Sequence, residues 1–283
     1  TPEELSAAAE KYTVFGRVTP DQKLTLVEAL KAGGHNVGMT GDGVNDVLAL
    51  KASDCSVAMA SGCDAAVSVS QLVLLDSDFS VMPGGVDEGR RVVNNIQRSA
   101  SLFLVKNIFS VITALSSLLF AMKYPLIPSQ ITLIGAFTIG IPGFFLSLAP
   151  NHERIRGSFA ANVLSRALPA GLTDAFAVIF MSRLALARDI PALETSTACA
   201  VLVSFVGFMI LAYVCWPPDA LRSILVLSCL AGICMVGIIV GGFFGIHAVS
   251  WPCLRLLLAV AALSVPLLAG LTRLFEKIVF QNW

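Results

Sequence analysis

Six long apolar stretches limit what this sequence can fold into. They cover roughly residues 98–122, 125–149, 163–184, 194–216, 221–244 and 251–272. Because a bilayer core about 30 Å thick needs roughly 20 helical residues, each stretch is long enough to cross a membrane. A large buried helical core is the alternative, but it would not explain six such lengths separated by short turns. The sequence therefore predicts an all-α six-helix transmembrane bundle over residues 98–283.

Composition and charge agree with a membrane location. The 283 residues are 56% hydrophobic and only 13% charged, which is too apolar for an ordinary soluble domain. Lys+Arg and Asp+Glu both number 19, so we expect no nucleic-acid partner. Basic residues flank the stretches more often on the side of the N-terminal region, which indicates that this region is cytoplasmic. The chain is expected to be a multi-pass integral membrane protein.

The N-terminal region, residues 1–97, alternates helical and strand-like runs. A helix is predicted over residues 22–32, followed by strands at 35–39, 55–59 and 72–75. Such alternation is typical of an α/β domain with a parallel sheet, and this region has the size of half a doubly wound domain. The chain opens in polar helical sequence without an initiating methionine, so we expect a fragment of a longer protein.

A glycine- and aspartate-rich string, TGDGVND, follows the first predicted strand at residues 40–46. Its glycines allow a tight turn, and free N–H groups at a helix start favour phosphate. The carboxylates of Asp42 and Asp46 suit Mg²⁺, while the amide of Asn45 can donate to a phosphate oxygen. The alternative is a turn that merely caps a helix.

Two cations lie upstream, in the string FGRVTPDQK at residues 15–23. These are Arg17 and Lys23, and Lys23 could neutralise a phosphoryl group during its transfer. Further along, residues 87–122 contain no proline and predict one helix of about 36 residues, unless two helices meet near residues 98–102.

The combined strings resemble the P-type ATPase branch of the haloacid dehalogenase superfamily. The hinge motif of that family reads TGDGVNDxxALKxAD, and residues 40–54 read TGDGVNDVLALKASD. The upstream string matches the family pattern FARVxPxxK, except that Gly16 replaces the usual alanine. EGR at residues 88–90 and NNI at 94–96 match the segment that enters the membrane. The resemblance implies an α/β Rossmann-like (HAD-type) partial domain over residues 1–97, followed by the six-helix bundle.

The resemblance also implies the cofactors, ATP and Mg²⁺, and the residues that handle them. Asp42 would bind Mg²⁺ with support from Asp46, and Asn45 would contact phosphate. The nucleotide or phosphate would also be lined by Arg17, Lys23, Thr40 and Gly41. The family's phosphorylated aspartate motif DKTGT and its TGES loop do not occur in this sequence. The implied partner is therefore a front half with the actuator and nucleotide-binding domains and the first membrane helices, without which no aspartyl-phosphate would form.

The binding site of the transported substrate is expected among the polar residues inside the spans, because such residues are costly in a membrane and are kept there for function. Aligned with sarcoplasmic-reticulum-type calcium pumps, Asn107 and Thr138 fall on calcium-ligand positions. Ser110, Gly135 and Ile139 replace a Glu, an Asn and an Asp of that subfamily, so at least one such calcium site is altered. Ser110 nevertheless joins Asn107 and Thr138 as a candidate cation contact. Glycines and prolines also interrupt the second span, and broken helices expose carbonyl groups to cations.

Residues 138–151 look like a bacterial subgroup of cation pumps in which calcium has been proposed. The expected function is therefore ATP-driven transport of an inorganic cation, with Ca²⁺ as the candidate, in a bacterial cell membrane. Lys106 could be a built-in counter-charge or could reach the interface. Asp174 could bind a proton or cation, or could make an interhelical hydrogen bond.

Other functions remain open at this stage. Lipid-translocating P-type ATPases also have six spans after this domain, and a non-catalytic membrane remnant would lack the phosphorylated aspartate. Heavy-metal pumps are disfavoured because they have one pair of spans here and a CPC motif, which this chain lacks. A membrane-anchored phosphatase would need a catalytic aspartate motif of its own.

Overall fold

A computed structural model describes residues 2–151, 153–155 and 157–280, with the side chains of residues 2, 279 and 280 left out. The chain forms two compact units, an N-terminal unit that ends at Val86 and a membrane unit that begins at Asp87.

The N-terminal unit is a small α/β structure, as predicted. Its strands are β1 (Gly38–Gly41), β2 (Cys55–Met59) and β3 (Leu72–Leu74), and they form one parallel sheet in the order β1-β2-β3. Its helices are α1 (Pro2–Lys11), α2 (Pro20–Ala32), α3 (Val47–Ala52) and α4 (Asp64–Val69). The buried side chains of Val27, Val37 and Ala49 join α2, the segment before β1, and α3 in one apolar core.

Strand β1 begins three residues later than the apolar run at residues 35–39 predicted, so that prediction was wrong in its bounds. The backbone N–H of His35 donates to the Leu30 carbonyl at 3.1 Å, which shows that this residue still completes the end of α2. The shift places Thr40 and Gly41 inside the strand, where they pair with Val57 and Ala58 of β2.

Asp54 ties the start of β1 to the start of β2. Its Oδ2 accepts the Val37 N–H at 2.9 Å, and its Oδ1 lies 2.9 Å from the Lys31 ammonium. The Val37 hydrogen bond first, and the Lys31 interaction second, lower the pKa of Asp54 below its ordinary value. Since the folded pKa is depressed, this stabilisation is present above the unfolded pKa and is lost as pH falls through the folded pKa.

We therefore expect Asp54→Ala to speed amide hydrogen exchange in residues 35–41 at neutral pH. The difference from the unmodified protein should shrink on acidification, because the Asp54 carboxyl group of that protein then becomes protonated in both the folded and the unfolded state. Mass-spectrometric exchange measured at matched pH values checks this, with the exposed Asp76→Ala as the control. An equal effect of Asp54→Ala at every pH would contradict the role of the carboxylate charge.

The membrane unit consists of helices. They are α5 (Met82–Leu119), α6 (Pro128–Gly135), α7 (Ile141–Leu148), α8 (Phe159–Leu186), α9 (Ala192–Val214), α10 (Ala220–Val240) and α11 (Trp251–Phe280). A π-helical turn, Ala136–Gly140, joins α6 to α7, so the chain is helical from residue 128 to 148. Among the described residues, six helical segments are long and apolar enough to cross a membrane, as the sequence predicted. Helix α5 is uninterrupted over 38 residues, which excludes two helices meeting near residue 100.

Helix α8 lies at the centre of this unit. In the most apolar stretch of α8, 61% of the residues are buried, whereas 6% are buried in the corresponding stretch of α10. Helix α8 is therefore surrounded by other helices, and α10 is peripheral. The core combines α8 with α5, α9 and α11, through buried residues such as Phe109, Val178, Leu202 and Val260.

Candidate functional site

The Gly-Asp-Gly loop lies where strand β1 ends, at the carboxyl edge of the parallel sheet. Gly41 is the last residue of the strand, Asp42 and Gly43 make the turn, and a 3-10 turn over Val44–Asp46 leads into α3. Ligands of open α/β sheets bind at this edge, because the loops that follow parallel strands meet there. Thr40, Asp42 and Asn45 are exposed in this region.

Lys23 reaches this loop from the first turn of α2. The helix begins with a capping box, in which the Thr19 hydroxyl accepts the Gln22 N–H at 3.3 Å and Gln22 Oε1 accepts the Thr19 N–H at 2.9 Å. The cap fixes the first turn, and Lys23 Nζ donates to Asp46 Oδ1 at 2.5 Å. The two motifs, separate in sequence, are therefore joined by an ion pair.

Asp46 organises the loop. It is only 7% exposed, and its second carboxylate oxygen, Oδ2, lies 3.4 Å from the Gly43 N–H. A Cβ atom added to Gly41 would lie 2.5 Å from the Cβ of Asp46, so only glycine fits at the end of β1. Because both oxygens of Asp46 have partners, the exposed carboxylate of Asp42 is the better placed of the two for a metal ion.

A second turn, after strand β2, fixes the backbone of Asp42. The Cys63 N–H donates to the Asp42 carbonyl at 2.7 Å, and a Cβ atom on Gly62 would lie 2.7 Å from that same oxygen. Sequence reasoning missed this contribution. The available signal was its position, since the turn follows the strand next to β1 and so meets the same sheet edge.

Arg17 lies two residues before the Thr19 cap. It is exposed, and its backbone is in the left-handed region with φ 57°. The structure thus brings Lys23 to Asp46 and places Thr40, Gly41, Asp42 and Asn45 on one edge, whereas Arg17 stands in the segment before α2.

The NNI motif lies on helix α5 and forms hydrogen bonds within the membrane unit. Asn95 is 3% exposed, and its Nδ2 donates to the carbonyls of Ser147 at 3.1 Å and Ala149 at 2.8 Å. The neighbouring Asn94 donates to the Glu153 carbonyl at 2.8 Å. Helix α5 therefore satisfies the carbonyl groups at the end of α7, which the helix itself leaves unpaired.

The polar residues predicted for the transported cation take different positions. Thr138 is 4% exposed in the π turn, where its hydroxyl donates to the Ile134 carbonyl at 2.8 Å. It lines a cavity of about 40 Å³ together with Lys106 and Asp174. Asn107 is exposed and Ser110 is partly buried on α5, and neither is among the described residues that line the cavity.

Comparison with known proteins finds relatives in several organisms, although no family model matches the sequence. A calcium-transporting ATPase CtpE of Mycolicibacterium smegmatis is 45% identical over 240 residues, which cover 80% of this chain and 30% of the relative. A probable cation-transporting ATPase exp7 of Streptococcus pneumoniae is 40% identical, covering 82% of this chain and 31% of the relative. A P-type sodium-transporting ATPase4 of Toxoplasma gondii is 40% identical over 53% of this chain and 11% of its own length. The chain thus spans less than a third of the length of these relatives.

Proposed function

This chain belongs to the P-type ATPase family as a multi-pass integral membrane protein of bacterial type, and from that premise we propose that it is the C-terminal part of an ATP-driven cation pump. The observation that carries the proposal is the Lys23–Asp46 ion pair, which organises the TGDGVND loop at the carboxyl edge of the sheet. The relatives named above are described as transporting calcium, sodium or cations, which favours a cation over a lipid substrate. Ca²⁺ is our first candidate.

In this proposal residues 1–97 are half of a HAD-type, Rossmann-like phosphorylation domain. Asp42 holds Mg²⁺ with Asp46 behind it, and the ion would offset the charge of the phosphoryl group. Asn45, Thr40 and the backbone at Gly41 face the same edge and would contact ATP or phosphate, as would Arg17 and Lys23. The aspartate that accepts the phosphoryl group must be supplied by another segment, because the DKTGT string is not in this sequence.

Residues 98–283 form the membrane part of the proposed pump, in contact with lipid. Support for a cation route comes from the π turn, because such turns interrupt the regular helix hydrogen bonding and occur often at functional sites. Thr138 lies in that turn, and Asn107 and Ser110 lie on the facing span. We propose all three as candidate contacts of the transported cation.

Radiolabelled ATP tests whether the aspartate that accepts the phosphoryl group lies outside this chain. The chain by itself should acquire no acid-stable label, because the nucleophile is absent, whereas the complete pump should be labelled. Label on the isolated chain would contradict the proposal.

Transport is tested in inverted membrane vesicles that contain the complete pump. We expect Mg²⁺- and ATP-dependent uptake of labelled Ca²⁺, absent from vesicles prepared without the pump. Uptake of another cation in its place would change the substrate, and no uptake of any cation would refute a cation pump.

A further inference from the structure

The cavity in the membrane unit has one acidic residue in its wall. About 40 Å³ of space lies between α5, α6 with the π turn, α8 and α9. A water molecule needs roughly 10–15 Å³ on such a measure, so the cavity can hold a small ion or a few waters. Its polar and charged lining residues are Lys106, Thr138 and Asp174, and the rest of the wall is apolar or glycine.

Asp174 lacks the partners that a buried carboxylate needs. It is 3% exposed, and its Oδ1 accepts no hydrogen bond from any residue that the structure describes. Its backbone neighbour Thr173, by contrast, is satisfied through a 2.7 Å hydrogen bond from its hydroxyl to the Pro169 carbonyl. Burying an isolated carboxylate inside a membrane is costly, so Asp174 is stable there only when a proton or a cation neutralises it.

Two close helix contacts hold the wall in place. A Cβ atom added to Gly171, one turn before Asp174, would lie 2.6 Å from Ile108 Cγ2 and 3.1 Å from the Val105 carbonyl oxygen, so α8 packs directly on α5. A Cβ atom on Gly207 of α9 would lie 3.0 Å from Thr138 Cγ2. Because small residues permit both approaches, α8 lies close to α5 and α9 lies close to the π turn, and Asp174 and Thr138 line the same space.

Lys106 lines the same cavity but forms no ion pair with Asp174 in the described structure. Its Nζ is 3.7 Å from the position of a Cβ atom on Gly135, and no ion pair joins it to Asp174 within the described part of the chain. The carboxylate thus has no built-in counter-ion at contact distance. The side-chain oxygen donors that this wall offers a cation are the Asp174 carboxylate and the Thr138 hydroxyl, and the Lys106 ammonium lies in the same wall.

We propose that Asp174 is the carboxylate that binds an inorganic cation in this cavity, with the Thr138 hydroxyl as a neutral ligand. The inference rests on the proposed cation transport and adds a binding residue on α8, outside the two spans that the sequence favoured. The oxygen donors suit a hard cation such as Ca²⁺.

Carbodiimide labelling tests the binding directly. Dicyclohexylcarbodiimide is an apolar reagent that modifies carboxyl groups inside membranes, and the modified peptide can be identified by mass spectrometry. We expect Asp174 to be labelled in the complete pump in lipid vesicles. At least one of CaCl₂, MnCl₂, NaCl and KCl, each added alone, should protect it from labelling. Asp189, which follows the end of α8, serves as the internal reference whose labelling should not depend on the cation.

Variants then test the contribution to affinity. Asp174→Asn should raise the cation concentration for half-maximal ATPase activity about tenfold or more, because a charge-assisted contact is lost. Thr138→Val should raise it less, and Thr173→Val, a buried neighbour outside the cavity wall, should leave it unchanged. If Asp174→Asn fails to fold, the protection measured on the unmodified protein still decides.

The outcomes separate this inference from the proposed function. Failure of every cation to protect Asp174, or an unchanged cation dependence in a folded Asp174→Asn pump, overturns the binding role even if transport is observed. Protection of Asp174 in a protein that transports no cation would support the site and refute the pump.

Discussion

Replacing Asp42 with asparagine should lower turnover of the complete pump by a factor of about 100 or more, while the protein still folds. Asparagine has the size of aspartate, and the Asp42 backbone is held by the Cys63 N–H, which the change leaves intact. What disappears is the negative charge that should hold Mg²⁺ against the phosphoryl group. The loss should therefore appear in phosphoenzyme formation as well as in steady-state ATPase activity.

The measurement is acid-stable labelling from ATP together with steady-state hydrolysis, at saturating Mg²⁺. Asp76→Asn, an exposed acid of the same unit, is the matched control and should retain activity. Near-normal turnover in a well-folded Asp42→Asn pump would show that Asp42 is only a turn residue.

Gly62→Ala should also inactivate the pump, through structure and not through charge. The added Cβ would lie 2.7 Å from the Asp42 carbonyl oxygen and 3.0 Å from both Asp42 Cα and the Met59 carbonyl oxygen. These are backbone atoms that cannot rotate away, so relief requires the turn to move. Forced packing of this kind costs about 1–3 kcal/mol, and a misplacement near 1 Å at a reacting group can cost on the order of 100-fold in rate.

The control for Gly62→Ala is Gly16→Ala. A Cβ atom on Gly16 meets nothing within 4 Å, and the family pattern FARVxPxxK that this string resembles has alanine at this position. We expect normal activity and unfolding temperature for Gly16→Ala and a decrease in both for Gly62→Ala. Equal behaviour of the two variants would mean that the turn after β2 does not position Asp42.

Local sequence patterns predicted most of the helices and strands. The spans follow from apolar length alone, and β2 lies at residues 55–59 as its apolar run predicts. Strand β1 was misplaced because the apolar run at residues 35–39 includes residues that complete the end of α2, a competition that hydropathy does not register.

Sites built by tertiary contacts were beyond the sequence. Nothing in the local pattern around Gly62 indicates that it packs on Asp42, because the two are brought together by the parallel pairing of β1 with β2 and by the hydrogen bond from Cys63 to Asp42. Likewise Asp174 and Thr138 share a cavity only because Gly171 and Gly207 let neighbouring helices approach closely. Polarity inside a span indicated both residues separately, but their proximity depends on helix rotation, which periodicity in an almost wholly apolar segment leaves undetermined.

The hydrogen bonds of Asn95 join helix α5 to the end of the second span, and those of Asn94 join it to residues just after that span. Because Asn95 donates hydrogen bonds to the carbonyls of Ser147 and Ala149, an axial displacement of α5 would move the end of α7 with it. Sharp bends of helices occur at π turns, so a bend between the end of α7 and the start of α6 would fall in the π turn. Thr138 is the middle residue of that turn.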